Sequence, residues 1–207
     1  MSARIVFIGV SVLLLCACVG YYFFMNDTRG ILNYPPKEGP IVAFGDSLVV
    51  GVGAPETEGF VGILSEMIGE PIINEGVRGD TTADGLVRIP SVLVQEPRIV
   101  LLLLGGNDYL RRVPKEKTFE NIRTIITALQ ARGAIVVLLG IRGGLLTDGY
   151  DEDFEALARE TKSAYVPNVL DGIFGNPELM FDSIHPNREG YERIAKKIFP
   201  VVKEVVR

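Results

Sequence analysis

Short apolar runs alternate along this chain with segments whose apolar residues recur every three or four positions. The runs predict five β-strands, at Pro40–Phe44, Pro71–Asn74, Arg98–Leu104, Ala134–Gly140 and Ser163–Val169. The periodic segments predict helices at Phe60–Ile68, Thr82–Gln95, Thr118–Arg132 and Tyr150–Lys162, and a final helix opened by Pro186 and Asn187. Because proline lacks an amide hydrogen and its ring blocks the preceding turn, we expect Pro90 to kink or split the second helix.

Strands that alternate with helices indicate parallel strands joined by right-handed crossovers, with helices on both faces of the sheet. The run Arg98–Leu104 is apolar after its first residue, as expected for a strand buried on both faces. The predicted fold class is α/β, a three-layer α/β/α sandwich around a parallel five-stranded sheet. Ligands of such sheets bind at the carboxyl ends of the strands, so functional residues are expected in the loops there.

The segment Ile5–Met25 has a different pattern, with 21 consecutive uncharged residues. As a helix it would extend about 31 Å, close to the thickness of the hydrocarbon core of a bilayer. A cleaved signal peptide is disfavoured because the apolar run is long and has no clear small-x-small cleavage site. We therefore predict a membrane segment within residues 1–25, a linker over residues 26–39 and a globular domain over residues 40–207.

Two interpretations of the first segment predict different attachments to the membrane. An uncleaved anchor with Arg4 in the cytoplasm places the domain outside the cytoplasm, in the periplasm or the extracellular space, by the positive-inside rule. Alternatively, the sequence LCAC resembles a lipoprotein cleavage box, which would place a lipid on Cys18. Apolar residues continue to Met25, where a mature lipoprotein usually turns polar, so we prefer the uncleaved anchor.

Composition excludes several classes of protein. The chain has 21 basic and 26 acidic residues and no long basic run, so it lacks the electrostatic signature of a nucleic-acid binder. Both cysteines lie in the apolar segment, which leaves the predicted domain without a disulfide framework or a cysteine metal site. The one histidine, His185, cannot form a histidine-rich metal site, but it can exchange a proton near neutral pH.

Four loops at predicted strand ends carry residues suited to acyl transfer. Ser47 follows the first strand, just before a predicted helix start, where helix amides favour negative charge beside its hydroxyl. Gly79 follows the second strand and exposes a backbone N–H, and Asn107 follows the third strand with a side-chain amide. In the last loop Asp182 precedes His185 by three residues, so its carboxylate can orient the imidazole.

Each of these residues has an ordinary structural explanation when it is taken alone. Serine often caps helices, Gly-Asn-Asp sequences often form turns, and Asp-x-x-His is usually a surface turn. Together, however, the residues supply a nucleophile, a base with its orienting carboxylate, and donors for an oxyanion. Those are the groups that acyl transfer requires.

The blocks GDSL, NEGVRGDTT, GGND and DSIHPN resemble, in this order, the four blocks of the SGNH/GDSL hydrolases. The match extends from about Ile41 to the C terminus and is similar to the bacterial thioesterase I, lysophospholipase L1 and arylesterase branch. The resemblance implies a flavodoxin-like fold that needs no metal or cofactor. It also implies a catalytic triad of Ser47, Asp182 and His185, with the Ser47 N–H, the Gly79 N–H and the Asn107 amide as oxyanion donors.

This resemblance implies a serine esterase that hydrolyses small-molecule carboxylic esters, thioesters or lysolipids. The chain departs from the branch in its first segment, where secreted members commonly have a cleaved signal. The same catalytic groups would also serve a carbohydrate O-acetyl esterase acting on cell-wall or extracellular polysaccharide. A polar open cleft would favour that alternative, whereas an apolar groove would favour acyl chains. A non-catalytic flavodoxin-like binding module gives no reason for the three triad residues to occur together.

Overall fold

The computed structural model describes residues 30–142 and 150–207. Five parallel strands form one sheet in the order β2-β1-β3-β4-β5, which confirms the predicted parallel five-stranded sheet. The strands are β1 (Ile41–Gly45), β2 (Ile72–Gly76), β3 (Ile99–Leu103), β4 (Ile135–Leu139) and β5 (Ala164–Val166). Every residue of β1, β3 and β4 is buried, as their continuous apolar sequences require.

The helices lie near their predicted positions, and one short helix is added after β3. They are α1 (Ser47–Val50), α2 (Phe60–Ile68), α3 (Thr82–Leu93), α4 (Gly106–Leu110), α5 (Lys115–Ala131), α6 (Tyr150–Thr161) and α7 (Arg188–Val205), with a 3₁₀ turn at Glu56–Glu58. The short helix α4 has no apolar period long enough to be seen in the sequence. The first turn of α5 is missed for a related reason, because its residues Lys115 to Lys117 are all charged.

The expectation that Pro90 could split the second helix is wrong, because α3 is one helix with Pro90 inside it. Proline removes one hydrogen-bond donor from the helix, but the turn after it closes normally, since the Val94 N–H donates to the Pro90 carbonyl at 3.1 Å. Ile89 and Val92 are buried on either side of the proline. Packing of these apolar side chains against the core compensates for the lost hydrogen bond.

The strand order creates a crevice at the carboxyl edge of the sheet. From β1 the chain crosses to β2 on one side, and from β2 it crosses over to β3 on the other. Right-handed crossovers then put α2 and α7 on one face and α3, α5 and α6 on the opposite face. The loops after β1 and β3 diverge at this switch point, where ligands of open α/β sheets bind.

The segment before β1 contacts the domain. The Leu32 N–H donates to the Lys162 carbonyl at 2.9 Å, and the Asn33 side-chain amide donates to the carbonyls of Gln130 and Ala134, both at 2.9 Å. Residues Ile31–Arg207 form one compact unit. Several residues of the predicted linker 26–39 are therefore packed on the domain, and the boundary at residue 40 stays a prediction.

The predicted membrane segment in residues 1–25, with Cys18, lies outside the described residues. Among residues 30–142 and 150–207, no helix is long and apolar enough to cross a bilayer.

Candidate active site

Ser47 lies directly after β1, at the first position of α1. Asp46 caps this helix, because its Oδ1 accepts the Leu48 N–H at 2.9 Å. The turn from strand to helix passes close to β3: a Cβ on Gly45 would lie 2.1 Å from the Leu103 carbonyl oxygen, so only glycine fits there. The sequence thus directs Ser47 into the crevice with its N–H among the unpaired donors of a helix N-terminus.

His185 joins Ser47 to Asp182. The His185 Nε2 lies 3.0 Å from the Ser47 Oγ, and its Nδ1 lies 2.8 Å from Asp182 Oδ2. The imidazole is only 14% exposed, so its orientation is well defined. When Nδ1 carries the ring proton and donates it to Asp182, Nε2 is free to accept a proton from the serine.

The Asp182 carboxylate is held by the turn that carries His185. Its Oδ1 accepts the N–H groups of Ile184 at 2.8 Å and His185 at 2.7 Å. Burial favours the neutral acid, but hydrogen bonds from the His185 ring and from these two N–H groups outweigh it and lower the pKa of Asp182 to about 2. Asp182 therefore stays ionised at neutral pH and can stabilise a protonated imidazole.

The loop after β2 forms a tight turn at Gly79. The Asp80 N–H approaches the Val77 carbonyl at 3.3 Å, and Gly79 has a φ of +81°. That left-handed conformation favours glycine over residues with a side chain. The Gly79 carbonyl accepts from Arg111 Nη2 at 2.8 Å. Among the described residues the Gly79 N–H donates to no protein acceptor, which leaves it available to a ligand.

Asn107 lies in α4 and reaches the same turn. Its Nδ2 donates to the Asp80 carbonyl at 2.9 Å and approaches Asp46 Oδ2 at 3.3 Å. The next residue, Asp108, is fully buried and fixes α4 to the start of α3, because it accepts the Thr82 N–H at 2.8 Å and the Thr82 hydroxyl at 2.6 Å. Two of the three predicted oxyanion donors, Gly79 and Asn107, therefore lie in segments that are bonded to each other.

Asp46 is a further ionisable group that the sequence did not single out. Burial raises its pKa to about 7, the charges of Asp80 and Asp108 act in the same direction, and the hydrogen bond from the Leu48 N–H acts against them. Its position before Ser47 was visible in the sequence, but its burial was not. The Asp46 carboxyl group beside the nucleophile can therefore exchange a proton near neutral pH.

A small apolar cavity adjoins the Ser47 and His185 side chains. It has a volume of about 70 Å³, and its lining is dominated by Leu48, Leu110, Ile141, Leu170, Phe174 and Ile184. Of these, Leu110, Phe174 and Ile184 are exposed at its mouth. In the part of the chain that the structure describes, no group of three or more His, Cys, Asp or Glu side chains could hold a metal ion.

Comparisons with known proteins identify the family of this chain. Residues 43–193 match the GDSL-like lipase/acylhydrolase family. The chain belongs to this family. Esterase TesA of Pseudomonas aeruginosa is 30% identical over 178 residues, which cover 80% of this chain and 89% of that protein. The arylesterase of Vibrio mimicus is 32% identical, covering 75% and 84% of the two chains, and thioesterase 1/protease 1/lysophospholipase L1 of Escherichia coli is 30% identical, covering 78% and 84%.

Solved structures of esterases are similar to this protein over most of the chain. The crystal structure of TesA has a TM-score of 0.74 and 31% identity, and it covers 80% of this chain and 99% of that one. Esterase EstA from Pseudoalteromonas, in a structure inhibited by monoethylphosphonate, has a TM-score of 0.73 and 27% identity, with 81% and 98% covered. The chain is thus a carboxylic ester hydrolase with the SGNH/GDSL fold.

All five predicted site residues lie at the carboxyl edge of the sheet. Ser47, His185 and Asp182 form one hydrogen-bonded series, and Gly79 and Asn107 meet around Asp80. Their catalytic roles stay predictions. Sequence reasoning missed the buried carboxyl group of Asp46, since a single charged residue in a loop gives no periodic signal.

Proposed function

We propose that this GDSL hydrolase is a serine esterase that cleaves carboxylic esters or thioesters through Ser47, His185 and Asp182. The observation that supports the proposal most directly is the unbroken series from Asp182 through His185 to the Ser47 hydroxyl, with contacts of 2.8 and 3.0 Å. These separations are hydrogen-bond distances already suited to proton transfer.

In the proposed reaction, Ser47 Oγ attacks the carbonyl carbon of the substrate while His185 Nε2 takes the hydroxyl proton. The tetrahedral intermediate collapses, His185 returns the proton to the leaving alcohol or thiol, and an acyl ester remains on Ser47. Water then attacks this ester, again giving its proton to His185, and the acid is released as the serine recovers its proton. Asp182 stabilises the imidazolium in both half-reactions.

Three donors surround the position at which the oxyanion forms. They are the N–H of Ser47 at the start of α1, the N–H of Gly79, and the Asn107 amide. One hydrogen of the Asn107 amide is held by the Asp80 carbonyl at 2.9 Å, and the other meets Asp46 Oδ2 only at 3.3 Å. The second hydrogen can therefore turn to an oxyanion, which is a stronger acceptor.

The apolar cavity beside Ser47 favours an aliphatic acyl group. Six of its lining side chains are apolar, and its volume of about 70 Å³ suits a short chain better than a long one. An acetyl group also fits a small cavity, so a carbohydrate O-acetyl esterase remains the second candidate. The exposed apolar rim of Leu110, Phe174 and Ile184 favours simple esters over sugar esters.

Labelling with a fluorophosphonate probe tests the nucleophile. We expect one phosphonylated residue, Ser47, identified by mass spectrometry of the digested protein. Ser47→Ala should abolish both labelling and hydrolysis of p-nitrophenyl butyrate, because loss of a triad member typically costs several orders of magnitude in kcat. Ser65→Ala is the matched control, since this hydroxyl bonds only the Glu70 carbonyl at the opposite edge of the sheet.

The proposal fails if a folded Ser47→Ala protein keeps more than about a tenth of the wild-type rate, or if the probe labels another residue. Absence of both labelling and hydrolysis in the wild-type protein would instead support a binding module.

A further inference from the structure

The Arg88 side chain crosses from α3 to the carboxyl ends of two strands. Its Nη2 donates to the Gly45 carbonyl at 3.0 Å, and its Nη1 donates to the Glu75 carbonyl at 3.2 Å. The guanidinium also lies 4.6 Å from the centre of the Phe44 ring, and the side chain is only 21% exposed. Arg88 thereby bonds the end of β1, two residues before Ser47, to the end of β2.

The same guanidinium holds the turn that carries Gly79. Arg88 Nε and Nη2 lie 2.7 and 2.6 Å from Asp80 Oδ2, and the Asp80 side chain is 10% exposed. The Asp80 carbonyl in turn accepts from Asn107 Nδ2 at 2.9 Å. One partly buried ion pair therefore connects three separate segments: the strand end before the nucleophile, the Gly79 turn and the Asn107 helix.

The connection through Arg88 and Asp80 can fix the direction of the Gly79 N–H. Glycine has the widest range of backbone conformations, so a turn at Gly79 does not by itself fix the direction of its N–H. An oxyanion site requires its donors within about 0.5 Å of the right position. Because the Asp80 N–H closes the turn on the Val77 carbonyl at 3.3 Å, an anchored Asp80 restrains the turn that carries the Gly79 N–H.

We propose that Arg88 and Asp80 are positioning residues that hold the oxyanion donors Gly79 and Asn107 in register with Ser47. This inference rests on the proposed function, because it assumes that these three residues stabilise the tetrahedral intermediate. Neither side chain touches the substrate. Their effect therefore falls on kcat, since the oxyanion exists only near the transition state, and KM changes little.

The first test is Arg88→Met, which keeps an unbranched apolar stem of similar length up to the position of Nε and removes every donor. We expect kcat for p-nitrophenyl butyrate to fall by about 10- to 100-fold, as a displacement of about 1 Å can cause, with KM within about two-fold of wild type. The kcat of Arg88→Lys should lie between those of wild type and Arg88→Met, because an ammonium group cannot contact Gly45, Glu75 and Asp80 together. Asp80→Asn should lower kcat in the same way and serves as the second variant if Arg88→Met does not fold.

Arg98→Met is the matched control. Arg98 pairs with Glu70, and its side chain is 15% exposed, but it lies just before β3 at the opposite edge of the sheet. The control should lower the melting temperature to a similar extent and leave kcat unchanged. An equal loss of kcat in Arg98→Met would overturn the inference, because the loss would then reflect general destabilisation.

A double-mutant cycle with Asn107→Ala decides whether Arg88 acts through the oxyanion donors. Substitutions that disturb one functional unit are not additive. We expect the fold-loss from Arg88→Met to be at least about three-fold smaller in the Asn107→Ala background than in wild type. An undiminished loss, or a raised KM with kcat intact, would refute the positioning role. If instead Asn107→Ala alone retains the wild-type kcat, the proposed oxyanion site itself is wrong.

Discussion

Replacing Asp46 by asparagine should change how the stability of this esterase depends on pH. The carboxyl group is 2% exposed and its pKa is raised to about 7, chiefly by burial. Asparagine has nearly the same size, and its carbonyl oxygen can still accept the Leu48 N–H and cap α1. The substitution therefore removes the ionisation with little change in packing.

The size and sign of the effect follow from proton linkage. Between the unfolded pKa of 3.8 and the folded value of about 7, the folded protein binds one more proton at Asp46 than the unfolded chain does. Stability therefore falls as the pH rises through this interval, by about 1.4 kcal/mol for each pH unit. From pH 5 to pH 8 the wild-type protein should lose about 3 kcal/mol through this group, and Asp46→Asn should not lose it.

Urea unfolding at half-unit pH intervals from 5 to 8 measures the difference directly. The stability of the variant relative to that of wild type should rise by about 3 kcal/mol between pH 5 and pH 8. Asp171→Asn is the control, because it removes the same formal charge from a side chain that is 70% exposed. Its stability curve should run parallel to that of wild type.

Parallel curves for Asp46→Asn and wild type would refute the reasoning, since they would mean that burial does not raise the pKa of Asp46. If Asp46→Asn instead lost stability relative to wild type as the pH rises, the pKa of Asp46 would be lowered by folding and not raised.

Two further predictions concern the triad and the cavity. Asp182→Asn should lower kcat roughly 10³- to 10⁴-fold on p-nitrophenyl butyrate even at pH 9, because the amide no longer selects the required imidazole tautomer; a variant with more than a tenth of the wild-type rate would contradict this role. Among p-nitrophenyl esters, kcat/KM should be greater for acetate and butyrate than for laurate, because the cavity is about 70 Å³, and Phe174→Ala should shift the preference towards longer chains. A wild-type preference for laurate would show that the acyl chain lies elsewhere.

The sequence determined the sheet and most of its helices. The continuous apolar runs that became β1, β3 and β4 are typical of strands buried on both faces, and their alternation with helical segments predicted that the strands are parallel. Parallel strands place all their carboxyl ends at one edge, which is why residues as distant as Ser47 and His185 could be assigned to one site. Each of these inferences uses local periodicity or chain direction.

Only the tertiary structure decided which polar side chains are buried around that site and what they contact. Arg88 reaches Gly45 across 43 positions of the sequence, and Asp46 is enclosed by segments that carry Asp80 and Asp108. The residues that flank Arg88 and Asp46 in the sequence do not predict these contacts. Helix α3 has exposed as well as buried positions, and a charged residue looks the same in the sequence on either face. Helix periodicity records the face that a residue occupies, whereas the partner of a buried charge depends on how distant segments meet. The continuity of α3 through Pro90 has the same origin, because packing against the core outweighs a local preference.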